Sequence, residues 1–92
     1  MLGMARMSDR DRHSVAGYYA ADQITQAIQT LYVAQEQLES ALASIANAVG
    51  GSDMESAANA LNFTAGAKER ISEQLGALEE AHAELQRYMN GF

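Results

Sequence analysis

The chain has 92 residues, of which 48% are hydrophobic, and it contains neither cysteine nor proline. This length accommodates one small domain, and the lack of cysteine excludes a disulfide framework and a thiolate zinc site. Twelve acidic residues outnumber six basic ones, which gives a formal net charge of −6. Because nucleic-acid phosphates require clustered cations, nucleic acid is not an expected partner.

Residues 1–13 are predicted to be a flexible N-terminal segment. They read MLGMARMSDRDRH and lack the apolar core of a secretory signal peptide; Met7 is an alternative start. No window of the chain approaches the roughly 20 apolar residues that cross a bilayer, so no membrane span is expected. We therefore expect a cytoplasmic protein or one exported without a cleavable signal peptide.

Residues 14–49 are predicted to form a long helix, with Ser8 as an alternative, earlier start. The apolar residues recur at alternating steps of four and three, which is the heptad repeat abcdefg of a coiled coil. Positions a and d face the partner helix, e and g flank them on opposite sides, and b, c and f face outward. The a and d positions are filled by Ile24, Ile28, Leu31, Gln35, Leu38, Leu42, Ile45 and Val49.

A turn is predicted at residues 50–53, where the sequence reads Gly50-Gly51-Ser52-Asp53. A glycine just past a helix supplies the left-handed residue that ends it. Ser52 and Glu55 have the S-x-x-E spacing of a capping box, in which two side chains satisfy free backbone N–H groups of the next helix.

A second helix is predicted over residues 53–90 by the same heptad repeat. The period-two alternation typical of strands is absent. The fold class is therefore expected to be all-α, an antiparallel, coiled-coil-like two-helix hairpin spanning residues 14–92. The a and d positions of the second helix hold Met54, Ala57, Leu61, Thr64, Lys68, Ile71, Leu75, Leu78, His82, Leu85, Met89 and Phe92.

Folding the chain at the double glycine predicts which residues lie level with one another. The numbers of two level residues are expected to add up to about 103, which places Val49 opposite Met54 and Gln35 opposite Lys68. A polar layer of this kind costs stability but penalises slipped registers, so Gln35 and Lys68 are interpreted as setting the register. The alternative is that Lys68 extends outward along its alkyl chain.

Alanine at heptad spacing on the g positions, together with Ala58 and Ala65 at e positions of the second helix, indicates an interface. Soluble coiled coils usually carry charged residues there, whereas alanine lets another helix approach closely and widens the apolar stripe. We expect dimerisation into a four-helix bundle, with a second copy or with a second helical protein. The alternative is that alanine is present only as a strong helix former. The predicted interface residues are Ala20, Ala27, Ala34, Ala41, Ala48, Ala60 and Ala67, together with Tyr32.

No catalytic constellation and no phosphate-binding loop are found, so the chain is predicted to be non-enzymatic, without a cofactor or a small-molecule ligand. Glu79 and His82 offer an alternative, because Glu-x-x-His places a carboxylate and an imidazole on one helix face, as in carboxylate-bridged di-iron bundles. A ferritin-like half-bundle could complete such a metal site across a dimer. Ala21, expected at the level of His82, cannot act as a ligand.

The length, the two long helices and the central turn resemble the small WXG-type (ESAT-6-like) helical-hairpin proteins of type VII secretion. Gly51 matches the glycine of the family's Trp-x-Gly turn, and Val49 stands in place of the tryptophan. Tyr88 matches the tyrosine of the family's export signal, and Phe92 stands in place of its acidic residue. The resemblance implies a four-helix bundle of two hairpins, and a role as a secretion-related small protein or as an accessory partner of a larger effector.

Overall fold

The computed structural model describes residues 9–91, with the side chain of Arg10 excepted. They form two helices, α1 (Asp9–Val49) and α2 (Glu55–Asn90), and no strand occurs within this range. The helices pack against each other as a hairpin, which confirms the predicted all-α fold class. Neither of the described helices is apolar enough over a sufficient length to cross a membrane.

The hairpin is long and thin. Its principal extents are 71 × 25 × 15 Å and its radius of gyration is 21.0 Å, whereas a compact chain of this length would have a radius of gyration of about 12 Å. Because two helices side by side form a single layer, each helix is covered by protein on one side only.

Helix α1 begins at Asp9, five residues before the predicted start at Ser14. Two acidic residues, Asp9 and Asp11, lie in its first turn, where negative charge interacts favourably with the helix dipole. Arg12 also forms an ion pair with Asp9 at 2.6 Å. Residues 9–13 therefore belong to the helix and not to the N-terminal segment to which they were assigned; residues 1–8, including the alternative start points Met7 and Ser8, lie outside the described residues.

The turn between the helices depends on Gly51. The backbone N–H of Ser52 donates to the carbonyl oxygen of Val49 at 2.9 Å, and Gly51 has a φ of +79°. This left-handed conformation is readily adopted by glycine and rarely by other residues. The predicted role of glycine in ending the first helix is thus confirmed for Gly51.

The predicted capping box is wrong. Helix α2 begins at Glu55, so that Met54 precedes it in an extended conformation and makes no side-chain cap. Ser52 consequently lies too far from the helix to cap it, and its Oγ accepts a hydrogen bond from the backbone N–H of Met54 at 3.2 Å.

The alignment of the two helices differs from the predicted one. A Cβ atom added to Gly17 would lie 2.6 Å from Sδ of Met89, so Gly17 faces Met89, and the numbers of this pair add up to 106 and not 103. Gly17 is a d position and Met89 an a position. In an antiparallel pair the alternating steps of four and three residues along the two helices coincide only when a d position of one helix faces an a position of the other. The predicted alignment, which placed a opposite a, as in Gln35 opposite Lys68, was therefore wrong.

Candidate interaction surface

The seam between α1 and α2 is only partly buried. Among the described residues, four apolar side chains are buried, namely Ala21, Ala57, Leu75 and Met89, and no side chain is fully enclosed. Of the other large apolar residues that the structure describes in the seam, Met54 is exposed and the rest stay partly exposed: Ile24, Ile28, Leu31, Leu38, Leu42, Ile45, Val49, Leu61, Ile71, Leu78 and Leu85. Two helices alone therefore leave much of the seam in contact with water.

The accessible surface area also indicates incomplete burial. It amounts to 6868 Å², whereas a compact monomer of 9.9 kDa would expose about 5,200 Å². The excess is roughly 1,700 Å², which is comparable to the area buried in a stable protein–protein interface.

One side of the seam is closed by polar contacts between the helices. The hydroxyl of Tyr32 donates to Oε1 of Glu79 at 3.1 Å, and both residues occupy e positions. Nε2 of Gln35 donates to Oγ of Ser72 at 2.7 Å. Nζ of Lys68 lies 3.2 Å from Oε1 of Glu39. We call this side the bridged flank, defined by the residues Tyr32, Glu39, Ser72 and Glu79.

The charge of Glu79 affects the ionisation of Tyr32. Both the hydrogen bond to Glu79 and the negative charge of that carboxylate raise the pKa of Tyr32 above its usual value of 10.0. This contact therefore favours the protonated phenol, which is the form that donates to Glu79.

Gln35 and Lys68 each bridge the two helices, but not as one layer. Each bonds to a residue one turn beyond its predicted level, Gln35 to Ser72 and Lys68 to Glu39. This displacement has the same direction as that of Gly17 and Met89, and it follows from the alignment of d with a. The part of both residues in setting the register stays a prediction.

The opposite side of the seam has a different character. On this side the g positions of the two helices face each other. At the open end of the hairpin, Oη of the g residue Tyr88 lies 3.3 Å from Nδ1 of the g residue His13. Along its length we define the neutral flank by its g-position alanines, which are Ala20, Ala27, Ala34, Ala41, Ala48, Ala60, Ala67 and Ala81. Every one of these alanines is exposed or partly exposed.

Within residues 14–49 of α1, charged residues avoid the neutral flank; Asp9, at a c position beside that flank, forms an ion pair with Arg12. Between residues 14 and 49 the helix carries only Asp22, Glu36 and Glu39, and all three occupy b or e positions, on the side of the bridged flank. On α2 the outward c positions beside the neutral flank include Arg70 and Glu84, one of each sign. The predicted interface is thereby divided, because Tyr32 lies on the bridged flank and the alanines lie on the other side.

A shallow apolar groove of about 480 Å³ lies on the outer surface of α1, near the open end of the hairpin. Two large side chains, Val15 and Tyr19, stand beside the small Ala16 and Ala20, and Arg12 and Gln23 complete the lining. This groove was not predicted from the sequence. The sequence signal for it is the alternation of large and small residues from the outward positions Val15, Ala16 and Tyr19 to Ala20 at the edge of the neutral flank.

The alternative metal site would be completed across a dimer, so it stays a prediction. No group of three or more histidine, aspartate or glutamate side chains that could hold a metal ion is found between residues 9 and 91. Glu79 accepts the hydrogen bond from Tyr32, and His82 lies partly buried in the seam.

Comparisons with protein-family models, with characterised proteins and with solved structures found no match for this chain. The resemblance to the WXG-type hairpins therefore stays a prediction.

Proposed function

We propose that this chain is a non-enzymatic protein–protein interaction module whose hairpin completes a homo- or heterodimeric four-helix bundle. The observation that carries the proposal is the partial exposure of most of the heptad seam. A large aliphatic side chain contributes about 1.5–3 kcal/mol when it is fully buried, and most of the seam residues are covered on one side only. Covering the second side would therefore add to the stability of the fold.

The choice of side chains supports association. An isolated hairpin with one face in water is expected to place polar or charged residues along that face, whereas this chain places alanine there at intervals of seven. Alanine allows close approach of a neighbouring helix. Exposed apolar surface of this extent is typical of interaction sites.

The resemblance to WXG-type hairpins supports a biological setting for this association. In that setting the bundle is a small secretion-related assembly, or the hairpin pairs with the helical domain of a larger effector. What supports it is the two-helix plan and Gly51 in the central turn.

The test is the dependence of folding on association. Thermal unfolding of the purified chain is followed by circular dichroism over a hundredfold range of concentration, and the native mass is measured by light scattering. If the hairpin completes itself by association, its Tm rises with concentration or, for a heterodimer, the isolated chain is a poorly cooperative monomer. A cooperative, stable monomer whose Tm does not change with concentration would contradict the proposal.

A further inference from the structure

We infer that the partner is a second copy of this chain, bound through the neutral flank with the two hairpins antiparallel, so that the turn of one copy lies beside the open end of the other. This inference rests on the proposed function and names its partner and its orientation. It is carried by three observations: the charge distribution, the exposed area and the position of Gln74.

The charge distribution favours a second copy. Each chain carries a net charge of −6, so two copies repel each other unless the surfaces that meet are uncharged. The g positions between Ala20 and Ala48 and between Ala60 and Ala81 contain no charged residue. A basic partner would find no acidic side chains to pair with at these positions, whereas the neutral flank of a second copy would meet no like charge that repels it.

The exposed area is large enough for a stable dimer. Two separate copies expose 6868 Å² each, while a compact protein of the combined mass would expose about 8,600 Å². Up to about 5,000 Å² could thus be buried in total, and stable interfaces require roughly 1,200–2,000 Å². The 71 Å length of the hairpin supplies this area along a continuous strip.

The orientation follows from Gln74, the polar member of the g series of α2 between Ala60 and Ala81. With Gly17 opposite Met89, Gln74 lies level with Tyr32, near the middle of the hairpin. When two hairpins stack face to face and antiparallel, α2 covers α2 of the second copy, and a central two-fold axis brings the two Gln74 side chains together. Each amide can then donate to and accept from the other, which satisfies both in a covered interface.

The same arrangement matches large residues with small ones. In the g series of α2, Tyr88 lies two heptads after Gln74 and Ala60 lies two heptads before it. A two-fold axis at Gln74 therefore places Tyr88 of one copy opposite Ala60 of the other. In the parallel arrangement α2 covers α1 of the second copy, and Gln74 meets Ala34, which leaves the amide without a side-chain partner.

Cysteine cross-linking tests the partner and the orientation together, because the chain has no cysteine of its own. The single variants Gln74→Cys, Ala34→Cys and Ser40→Cys are treated with a short bis-maleimide, and the products are resolved on a denaturing gel. The antiparallel dimer predicts that Gln74→Cys is linked to itself in high yield. Ser40→Cys, on an outward f position, is the control and should stay monomeric.

Other outcomes overturn the inference. Efficient linkage only in a mixture of Gln74→Cys and Ala34→Cys would show the parallel arrangement. No linkage, with a native mass of one chain and poorly cooperative unfolding, would overturn the second copy as partner but leave the proposed function standing. A stable, cooperative monomer would overturn both.

Salt dependence gives an independent readout. Two neutral surfaces on chains of equal charge predict that the dimer dissociation constant stays constant or decreases between 50 and 500 mM NaCl, because salt screens the overall repulsion. An increase of tenfold or more over this range would contradict an uncharged interface.

Discussion

The two flanks of the hairpin differ in the side chains that border the seam between α1 and α2. The bridged flank joins α1 to α2 through Tyr32, Glu79 and the contacts of Gln35 and Lys68, so its polar groups have partners within the chain. The neutral flank carries alanine and no charge, so it offers little within the chain and much to another helix. The first flank links the two helices to each other, and the second is the surface at which we propose association.

The largest expected effect comes from placing a charge on the neutral flank. Ala34→Glu would bring two like charges into the covered interface of the dimer, where each carboxylate is without a partner. We expect the dissociation constant to rise on the order of 100-fold, measured by sedimentation equilibrium. Ser40→Glu, which adds the same charge on the outer face, should have little effect; equal dissociation of both variants would remove the distinction between the flanks.

A smaller effect, a gain in stability, is expected from Gln35→Leu in the seam beside the bridged flank. This change gives up the hydrogen bond to Ser72 but places an apolar residue at an a position. We expect the free energy of unfolding to rise by about 1 kcal/mol while register specificity falls. Urea denaturation measures the free energy of unfolding. Loss of register specificity would appear as extra or broadened peaks in the NMR spectrum.

Ser72→Ala is the matched control for Gln35→Leu, because it removes the same hydrogen bond and adds no apolar residue to the seam. It should lower stability slightly. If Gln35→Leu proved as destabilising as this control, the view that Gln35 costs stability in return for register would be wrong.

The smallest expected effect is the pH dependence contributed by Tyr32. Its pKa is raised in the folded chain by the hydrogen bond to Glu79 and by the charge of that residue. The contribution of this contact to stability is therefore complete below pH 10 and is lost as the pH rises through the folded pKa. We expect the parent chain to lose slightly more stability than Tyr32→Phe between pH 9 and 11.5, measured by urea denaturation; identical profiles would show that the contact has no effect on folding.

Much of the fold could be predicted from the sequence, because the heptad repeat and the double glycine are local signals. They indicated the end of α1 at Val49 and the end of α2 at Asn90, both of which the structure has. The preferred start of α1 at Ser14 was wrong, whereas the alternative start at Ser8 lies next to the observed one at Asp9. The capping box was missed because Ser52 matches its spacing but lies outside the first turn of α2.

The candidate surface was predictable only in part. The alanines of the neutral flank could be read from their spacing, but the separation of Tyr32 from them depends on which side of the seam each residue occupies. The contacts of Gln35 and Lys68 could not be predicted without knowing how the two helices are aligned. The heptad pattern of each helix taken alone does not give this alignment; it follows only when the opposite direction of the second helix is taken into account. The groove around Tyr19 depends on outward side chains that no repeat specifies.

The distance along the chain between contacting residues has a consequence for local stability. At the open end, His13 and Tyr88 lie close together although 75 residues separate them, whereas near Gly51 the helices are joined by a short turn. Closing a longer loop costs more entropy, so amide hydrogens near the open end should exchange fastest when the hairpin is alone. In an antiparallel dimer each open end would lie against the turn of the other copy, so the most firmly connected part of one chain would protect the least firmly connected part of its neighbour.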